Sequence, residues 1–328
     1  MLRLRKASCP ALSRRPAAER LAPERETEYN EENTKQGGSH MDEQIKGAGL
    51  EITVREMGAE LQSLRCGGRE WMWSGDKAVW GRRAPACFPW CGRLKDGYFE
   101  QDGRRYENGP HGFAREYEHT LIEQDEKRLV FRLDWSEETL ARYPWKFRFE
   151  TVYEAEGRTL RSTYRVTNLD ERTMPFQAGF HYAFALPLTE GLDTGGHELR
   201  FEGPEEPEEV LTPEGFVTGT RPRFTGQDRV ALDDRLFEQD SICLKGLRTR
   251  WIELGTKEPG PALRLGMEGF PYVLLWSKPG PMRFVCIEPW HGLPDAAGGD
   301  HDLFHRPAVR LLEPGETFSC TQTVTVMP

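Results

Sequence analysis

The sequence predicts an all-β protein, a single large β-sandwich, and three observations support that prediction. Apolar and polar residues alternate with a period of two in several segments, as they do in strands with one buried face. Glycine (33 residues) and proline (23 residues) are abundant in the 328-residue chain, which suits many short strands joined by tight turns. Helical signals are few, and the segment 136–142 is expected to form only one or two helical turns.

The predicted strands follow one another along the chain. A first hairpin is predicted at 98–106 and a second at 146–168, each around a dipeptide that ends in glycine. The apolar runs Tyr272–Trp276 and 284–287 are predicted to be buried central strands, because both of their faces are apolar. The segment 317–326 alternates apolar residues with threonine and serine, so it is predicted to be a strand with one exposed face.

The first 46 residues differ in composition from the rest of the chain. Arginines and prolines are concentrated at the start, and residues 24–44 contain almost no apolar side chains. Such a stretch cannot bury enough apolar surface to offset its ordering entropy, so residues 1–46 are predicted to be a disordered N-terminal extension. A transit peptide is one interpretation of the arginine-rich start; an upstream extension before Met41 is the favoured one. Residues 47–328 show no linker-like break and are predicted to form one domain.

The charge balance and the cysteines restrict the partners and the compartment. Lys and Arg total 44 against 53 Asp and Glu, and this formal charge of −9 argues against nucleic acid or an anionic membrane as a partner. The apolar runs are far shorter than the roughly 20 residues that a membrane-spanning helix needs, so the protein is expected to be soluble. Seven cysteines without a dense framework are expected to be reduced thiols of a cytoplasmic protein.

Two histidines in unusual settings are candidates for chemistry, since the chain has neither a phosphate-binding glycine loop nor a G-x-S-x-G elbow. His111 lies between Pro110 and Gly112 and is therefore expected on a turn, where its ring either faces a cleft or belongs to a surface loop. His181 is embedded among aromatic and small residues. It is either a hydrogen-bonded core residue or a group that exchanges protons near neutral pH.

Glu288 is the sharpest single feature of the sequence. It directly follows the apolar run 284–287 and precedes Pro289 and Trp290. A carboxylate at the end of a buried strand is costly unless it is paired with an arginine or has a function. Its apolar surroundings are also expected to raise its pKa toward that of a useful base.

Four further polar residues are weaker candidates. Arg93 and Asp240 lie beside apolar segments and are candidates for binding the hydroxyls of a polyol, with a salt bridge and an ordinary turn as the respective alternatives. His301 and His305 have the i, i+4 spacing of metal ligands. Their segment is rich in Gly and Asp rather than helical, so it is predicted to be a solvated loop and no metal site is expected.

Six motifs occur in order along most of residues 47–328. They are GAELQSL at 58–64, WGRRAP at 80–85, GRLKDG at 92–97, HGFAR at 111–115, FHYAF at 180–184 and CIEPWHGLPD at 286–295. Together they resemble the aldose 1-epimerase (galactose mutarotase) family, in its bacterial subgroup of epimerase-like proteins.

The resemblance implies a β-supersandwich fold and an isomerase that needs no cofactor. It identifies Glu288 as the catalytic base, His181 as the acid, and His111 as a group that orients the sugar ring oxygen or shares the proton. The sugar-binding arginine of the family matches Arg93, and its sugar-binding aspartate maps onto Asp240.

Two aromatic residues bear on the expected sugar site. An indole such as that of Trp276 is expected to cover the apolar face of the sugar, with a core or interface tryptophan as the alternative. Relatives usually carry Gly-His-Pro where this chain has Phe180, His181 and Tyr182. Tyr182 is therefore expected to narrow the sugar site and to affect substrate preference.

The expected function is the interconversion of the α and β anomers of a free hexose such as glucose or galactose. A hexose phosphate or modified sugar is an alternative that would require several basic residues, and Arg82, Arg83, Arg93 and Arg115 keep it open. A non-catalytic sugar-binding protein is a second alternative. A glycoside hydrolase or lyase is a third and would require a partner carboxylate for Glu288. The expected partner is a small-molecule sugar, and the sequence does not predict the oligomeric state.

Overall fold

A computed structural model of the protein describes residues 42–47 and 49–327. These residues form 25 β-strands, one α-helix and five short 3₁₀ turns. The strands are β1 (Asp42–Gly47), β2 (Leu50–Arg55), β3 (Glu60–Cys66), β4 (Arg69–Glu70), β5 (Ala86–Cys87), β6 (Tyr98–Gln101), β7 (Arg104–Glu107), β8 (Thr120–Gln124), β9 (Arg128–Asp134), β10 (Phe147–Glu156), β11 (Thr159–Asn168), β12 (Met174–Phe176), β13 (Ala178–Phe180), β14 (Tyr182–Ala185), β15 (His197–Glu205), β16 (Glu208–Leu211), β17 (Gly219–Pro222), β18 (Gln227–Ala231), β19 (Ile242–Lys245), β20 (Trp251–Thr256), β21 (Ala262–Gly266), β22 (Tyr272–Trp276), β23 (Phe284–His291), β24 (Arg310–Leu312) and β25 (Thr317–Met327). The helix α1 is Glu137–Arg142, and the 3₁₀ turns are Lys95–Gly97, Ala114–Glu116, Thr194–Gly196, Pro213–Gly215 and Leu303–His305.

Two large antiparallel sheets dominate the fold. The nine-stranded sheet has the order β18-β15-β20-β21-β25-β11-β10-β9-β8. The eight-stranded sheet has the order β17-β16-β19-β22-β23-β13-β5, and β14 also pairs with β23. A four-stranded sheet, β1 to β4, and two two-stranded sheets, β12-β24 and β6-β7, complete the described residues. The predicted all-β architecture is confirmed.

The predicted hairpins form where the turn residues require them. The strands β6 and β7 pair around Asp102 and Gly103, whose φ angles of 53° and 73° are those of a type I′ turn. The strands β10 and β11 pair over their full length around Gly157. The predicted helical turns are also present, because the Ser136 side chain accepts a hydrogen bond from the Thr139 amide and caps α1.

Two boundaries differ from those expected. Strand β23 continues to His291, so Glu288 lies inside the strand rather than after its end. Strand β1 begins at Asp42 and pairs with β2, so the domain boundary expected between residues 46 and 47 falls within this strand. The remainder of the predicted disordered extension, residues 1–41, lies outside the described residues.

The two faces of the eight-stranded sheet have different neighbours. On β23, Val285 and Ile287 belong to the main core, which also contains residues of the nine-stranded sheet such as Tyr164. Cys286 and Trp290 point to the opposite face and belong to two smaller apolar clusters. Because side chains alternate along a strand, Glu288 lies on this second face, which we call the outer face.

No helix in the described part of the chain is long and apolar enough to cross a membrane.

Candidate active site

Glu288 and His181 are buried side by side on the outer face of the eight-stranded sheet. Their relative exposures are only 2% and 7%. Strand β14 pairs Tyr182 with Ile287, and the same register places His181, at the break between β13 and β14, beside Glu288. The Nε2 atom of His181 lies 3.4 Å from Oε2 of Glu288. The strongest sequence candidate and one of the two histidines therefore form one acid–base pair.

Indole rings enclose this pair. Trp80 stacks on the His181 ring with centroids 5.1 Å apart, and Trp276 meets the same ring edge-on at 6.0 Å. Both tryptophans are partly exposed, so they can contact a ligand as well as the histidine. Trp276 was a sequence candidate, whereas Trp80 was not. The signal for Trp80 is its position at the start of the WGRRAP motif.

His111 completes the centre from a separate turn. Its φ angle is +63°, and its ring lies edge-on to that of His181 with centroids 5.4 Å apart. The next residue must be glycine, because a Cβ atom on Gly112 would lie 2.0 Å from the carbonyl oxygen of Phe88. The Gly92 amide donates to Nδ1 of His111 over 3.2 Å. This bond places the ring proton on Nε2, which makes neutral His111 a hydrogen-bond donor.

Burial decides the protonation of the three groups. It raises the pKa of Glu288 well above that of a free carboxyl, and the nearby Cys87 and Asp240 add to this effect. It lowers the pKa of His181 to about 3, with a further contribution from Arg115. It also lowers the pKa of His111. Burial thus favours the protonated, neutral carboxyl of Glu288 and the neutral imidazole of His181 in the ligand-free site.

Arg93 and Asp240 both lie near this centre. Arg93 is exposed, follows the glycine that binds His111, and is close enough to His111 to lower its pKa. A Cβ atom on Gly215 would lie 2.9 Å from Cδ of Arg93, so the arginine packs directly on that glycine. Asp240 is exposed just before β19 and acts electrostatically on Glu288. The fold thus brings all six predicted site residues to one region.

Tyr182 does not narrow this site, contrary to the sequence expectation. It is fully buried and belongs to the core between the two large sheets. Its hydroxyl donates to Oγ of Ser162 on β11 over 2.9 Å. The reason is the strand period: His181 points to the outer face, so its neighbour Tyr182 points inward.

Replacement of Tyr182 by phenylalanine should therefore affect stability rather than activity. We expect Tyr182→Phe to lower the free energy of unfolding by about 1 kcal/mol, because it leaves the buried Ser162 hydroxyl without this partner. The kcat/KM for the sugar should not change. Urea unfolding and a turnover assay would check both, with Ser162→Ala as the matched control and the double variant less destabilised than the sum. A changed kcat/KM with unchanged stability would place Tyr182 back in the site.

Cys286 adds a thiol to the pair. Ligand atoms of His181, Cys286 and Glu288 all lie within 4.8 Å of one another, which is the spacing of a metal site. Burial raises the pKa of Cys286 as well as that of Glu288. Metal binding would require both groups to lose protons that burial favours, so the pair is suited first to proton exchange.

The second histidine pair of the sequence forms separate contacts. His301 stacks on Tyr98 with centroids 4.0 Å apart, whereas His305 is exposed and its Nδ1 lies 2.8 Å from Oδ2 of Asp300. The two imidazoles thus have different partners and do not share a ligand position.

Comparison with known proteins identifies the family of this chain. A sequence model of the family described as aldose 1-epimerase matches residues 43–322. Protein LacX of Lactococcus lactis subsp. lactis is 31% identical over 298 residues, which cover 87% of this chain and 99% of that protein.

Solved structures show the same fold. A galactose mutarotase related enzyme from Lactobacillus acidophilus matches with a TM-score of 0.84 and 29% identity, covering 88% of this chain and 98% of that chain. A galactose mutarotase-like protein from Lactobacillus casei matches with a TM-score of 0.81 and 27% identity, covering 88% of this chain and 100% of that chain. The galactose mutarotase-like sandwich predicted from the sequence is confirmed.

Proposed function

The chain belongs to the aldose 1-epimerase family, and from that premise we propose that it interconverts the α and β anomers of an aldose by acid–base ring opening and closure. The observation that carries the proposal is the pair of Glu288 and His181, which are both buried and lie 3.4 Å apart. Ring opening needs one base and one acid at neighbouring oxygens of the same sugar, and this pair offers both.

The chemistry is a balanced exchange of protons. The carboxylate of Glu288 takes the proton of the C1 hydroxyl, the bond between C1 and the ring oxygen breaks, and its electron pair goes to that oxygen. His181 gives the ring oxygen a proton, and an open aldehyde results. Rotation about C1–C2 presents the other carbonyl face, and closure returns each proton to its donor. No net proton or electron is gained or lost.

The proton must first move within the pair. In the ligand-free site burial favours the proton on Glu288, whereas opening in this direction requires carboxylate and imidazolium. Transfer across the 3.4 Å contact supplies that state, and a bound sugar provides hydroxyl groups that stabilise it. The pair holds the same number of protons whether it is a neutral carboxyl with a neutral imidazole or a carboxylate with an imidazolium.

The remaining candidates bind and orient the sugar. His111 donates from Nε2 toward the ring oxygen, and Arg93 and Asp240 contact hydroxyl groups. Trp276, with Trp80, covers an apolar face of the ring. The proposal covers hexoses such as glucose and galactose, because the reaction at C1 does not depend on the substituents of the carbons remote from C1.

Exchange between anomers is the direct test. Magnetisation-transfer NMR measures it at equilibrium, and wild-type protein should raise the rate far above that of buffer. We expect His181→Gln to lower kcat by about 100-fold, which is at the low end for loss of a general acid. The loss is limited because the His111 imidazole lies beside His181 and can protonate the ring oxygen in its place. The exposed His305→Gln is the matched control and should retain the wild-type rate.

Two outcomes would contradict the proposal. Wild-type protein that binds hexoses but leaves their exchange at the buffer rate would be a non-catalytic sugar-binding protein. Full activity of His181→Gln would remove this histidine from the mechanism and leave Glu288 without its acid.

A further inference from the structure

Three arginines lie near the two histidines of the site. Arg82, Arg93 and Arg115 all lie close enough to His111 to act on it electrostatically. Arg82 and Arg115 act in the same way on His181. The arginines come from separate segments of the chain, and a sugar without charge gives no reason to gather them.

Local structure directs these side chains to the site. Arg82 follows two residues after Trp80, the indole that stacks on His181. Arg115 lies in the short turn Ala114–Glu116 that follows His111, and its Nη2 donates to the carbonyl of Pro110 over 2.7 Å. The Nε atom of Arg115 is buried and has no partner among the described residues.

These guanidinium groups also lack acidic partners. In the described part of the chain, no ion pair involves Arg82, Arg93 or Arg115. The nearby carboxylates have other partners. Glu116 pairs with Arg142 at 2.7 Å. Glu60 accepts hydrogen bonds from the backbone amides of residues 83 and 84.

The excess of positive charge is local. The whole chain has a formal charge of −9, so basic residues are not simply abundant. Among the carboxylates near the site, Asp240 acts on Glu288 and both Glu60 and Glu116 act on Arg115, whereas burial favours the neutral form of Glu288. Guanidinium groups that form no ion pair attract anions, and their planar forks match the oxygens of a phosphate.

We propose that the substrate is an aldose that carries a phosphate group, held by Arg82 and Arg115 with Arg93 beside them, while Glu288 and His181 act at C1. This rests on the proposed function and takes up the alternative that the sequence left open. The free hexose predicted from the resemblance then becomes the poorer substrate.

The arrangement also indicates where the phosphate is attached. Arg93 and Arg115 belong to the two segments that hold His111, and Arg82 follows Trp80, which stacks on His181. In the proposed mechanism these two histidines serve the ring oxygen, whereas Glu288 serves the C1 hydroxyl. In a pyranose the ring oxygen is bonded to C5, and C5 carries C6. A phosphate on C6 therefore lies on the arginine side, whereas a phosphate on C1 would prevent ring opening altogether. The substrate class is a hexose 6-phosphate.

The experiment compares anomer exchange in four sugars with the full chain: glucose, glucose 6-phosphate, galactose 6-phosphate and glucuronate. We expect kcat/KM to be at least about 100-fold higher for a 6-phosphate than for glucose, the range expected from two charged hydrogen-bonding partners. Glucuronate tests whether any anion on C6 suffices. Added salt should reduce the preference.

Variants separate phosphate binding from other roles. Arg82→Gln and Arg115→Gln should each lower kcat/KM for the 6-phosphate by about 10- to 100-fold more than they change kcat/KM for glucose. The control is Arg161→Gln, which removes the same charge from an exposed position on β11 and should change neither value. Equal kcat/KM for glucose and the 6-phosphates, or equal losses on both sugars in the arginine variants, would overturn the proposal.

A binding measurement distinguishes its failure from that of the proposed function. The indoles of Trp80 and Trp276 lie in the site, so tryptophan fluorescence should report binding of galactose 6-phosphate. If no sugar shows exchange but Arg115→Gln still weakens this binding by about 10-fold or more, the proposed function fails and the phosphate site stands. If exchange is normal but the 6-phosphate binds no better than galactose, only the phosphate proposal fails.

Discussion

Replacement of Glu288 by glutamine is expected to lower the rate of anomer exchange by about 10⁴-fold, the upper end for loss of a general base. The amide has nearly the same shape as the carboxyl group but cannot accept the C1 proton. Unlike His181, which has His111 beside it, Glu288 has no second buried carboxyl at hydrogen-bonding distance among the described residues. Magnetisation-transfer NMR on saturating substrate would measure the loss.

The same substitution is expected to stabilise the protein, increasingly so as pH rises. The pKa of Glu288 is raised on folding, so the folded state holds a proton that the unfolded state releases above about pH 4.5. Stability is therefore lost as pH rises from there toward the folded-state pKa, at up to about 1.4 kcal/mol per pH unit. Glutamine does not titrate, so the variant lacks this pH-dependent loss of stability and the repulsion between the Glu288 carboxylate and Cys87 and Asp240.

Thermal unfolding at pH 5 and pH 8 would test this stabilisation. The gain in Tm of Glu288→Gln over wild type should be larger at pH 8. Glu209→Gln is the matched control, because Glu209 is also buried in the eight-stranded sheet but pairs with Arg221 at 2.8 Å. It should lose stability and retain activity. An inactive Glu288→Gln whose stability does not differ from wild type at either pH would show that burial does not hold this carboxyl protonated.

Replacement of Arg306 by methionine is expected to cost about 3 to 5 kcal/mol of stability, as loss of one partner of a buried ion pair does. Arg306 and Asp295 are 3% and 8% exposed, with Nη1 and Oδ1 3.0 Å apart. Arg306 also donates to the carbonyl groups of Cys91 and Leu293 over 3.0 Å. Methionine fills similar volume but leaves a buried carboxylate and two carbonyl groups without this donor.

This ion pair also holds the segment that carries Arg93. Asp295 accepts a hydrogen bond from the amide of Lys95 over 2.8 Å, and its own amide donates to the carbonyl of Arg93. Arg306→Met should therefore raise KM more than it lowers kcat. The added substitution Asp295→Asn should recover part of the stability, because it removes the unpaired charge. The exposed Arg229→Met should cost at most about 1 kcal/mol, and a similarly small cost for Arg306→Met would refute the role given to the buried pair.

Much of the fold was predictable because its signals are local. A period of two and turns that end in glycine identified the hairpins β6–β7 and β10–β11, since both depend on neighbouring residues. The boundary errors have local causes as well. Strand β23 continues through Pro289, which the sequence indicated as a strand end, and β1 is a polar strand whose composition resembled disorder.

The types of the chemical groups were also predictable, whereas their surroundings were not. A histidine on a turn and a carboxylate in an apolar run identified His111 and Glu288 without any distance information. The inward orientation of Tyr182 was missed, because the sequence around it does not indicate which face of β14 is covered by the other sheet. Trp80 was missed for a similar reason, since it reaches His181 from a distant loop.

The sequence alone determined most strands and turns and the candidate residues for proton exchange, because those properties depend on side-chain type and on spacing of a few residues. Only the tertiary structure decided that Glu288 and His181 are buried in contact, since their 3.4 Å separation depends on the pairing of β14 with β23. It also decided that Arg82, Arg93 and Arg115 lie near the two histidines and form no ion pair with a carboxylate among the described residues. The strength of an electrostatic interaction depends on the distance between the two groups and on their burial. For segments far apart in sequence, the packing of the sheets sets both the distance and the burial.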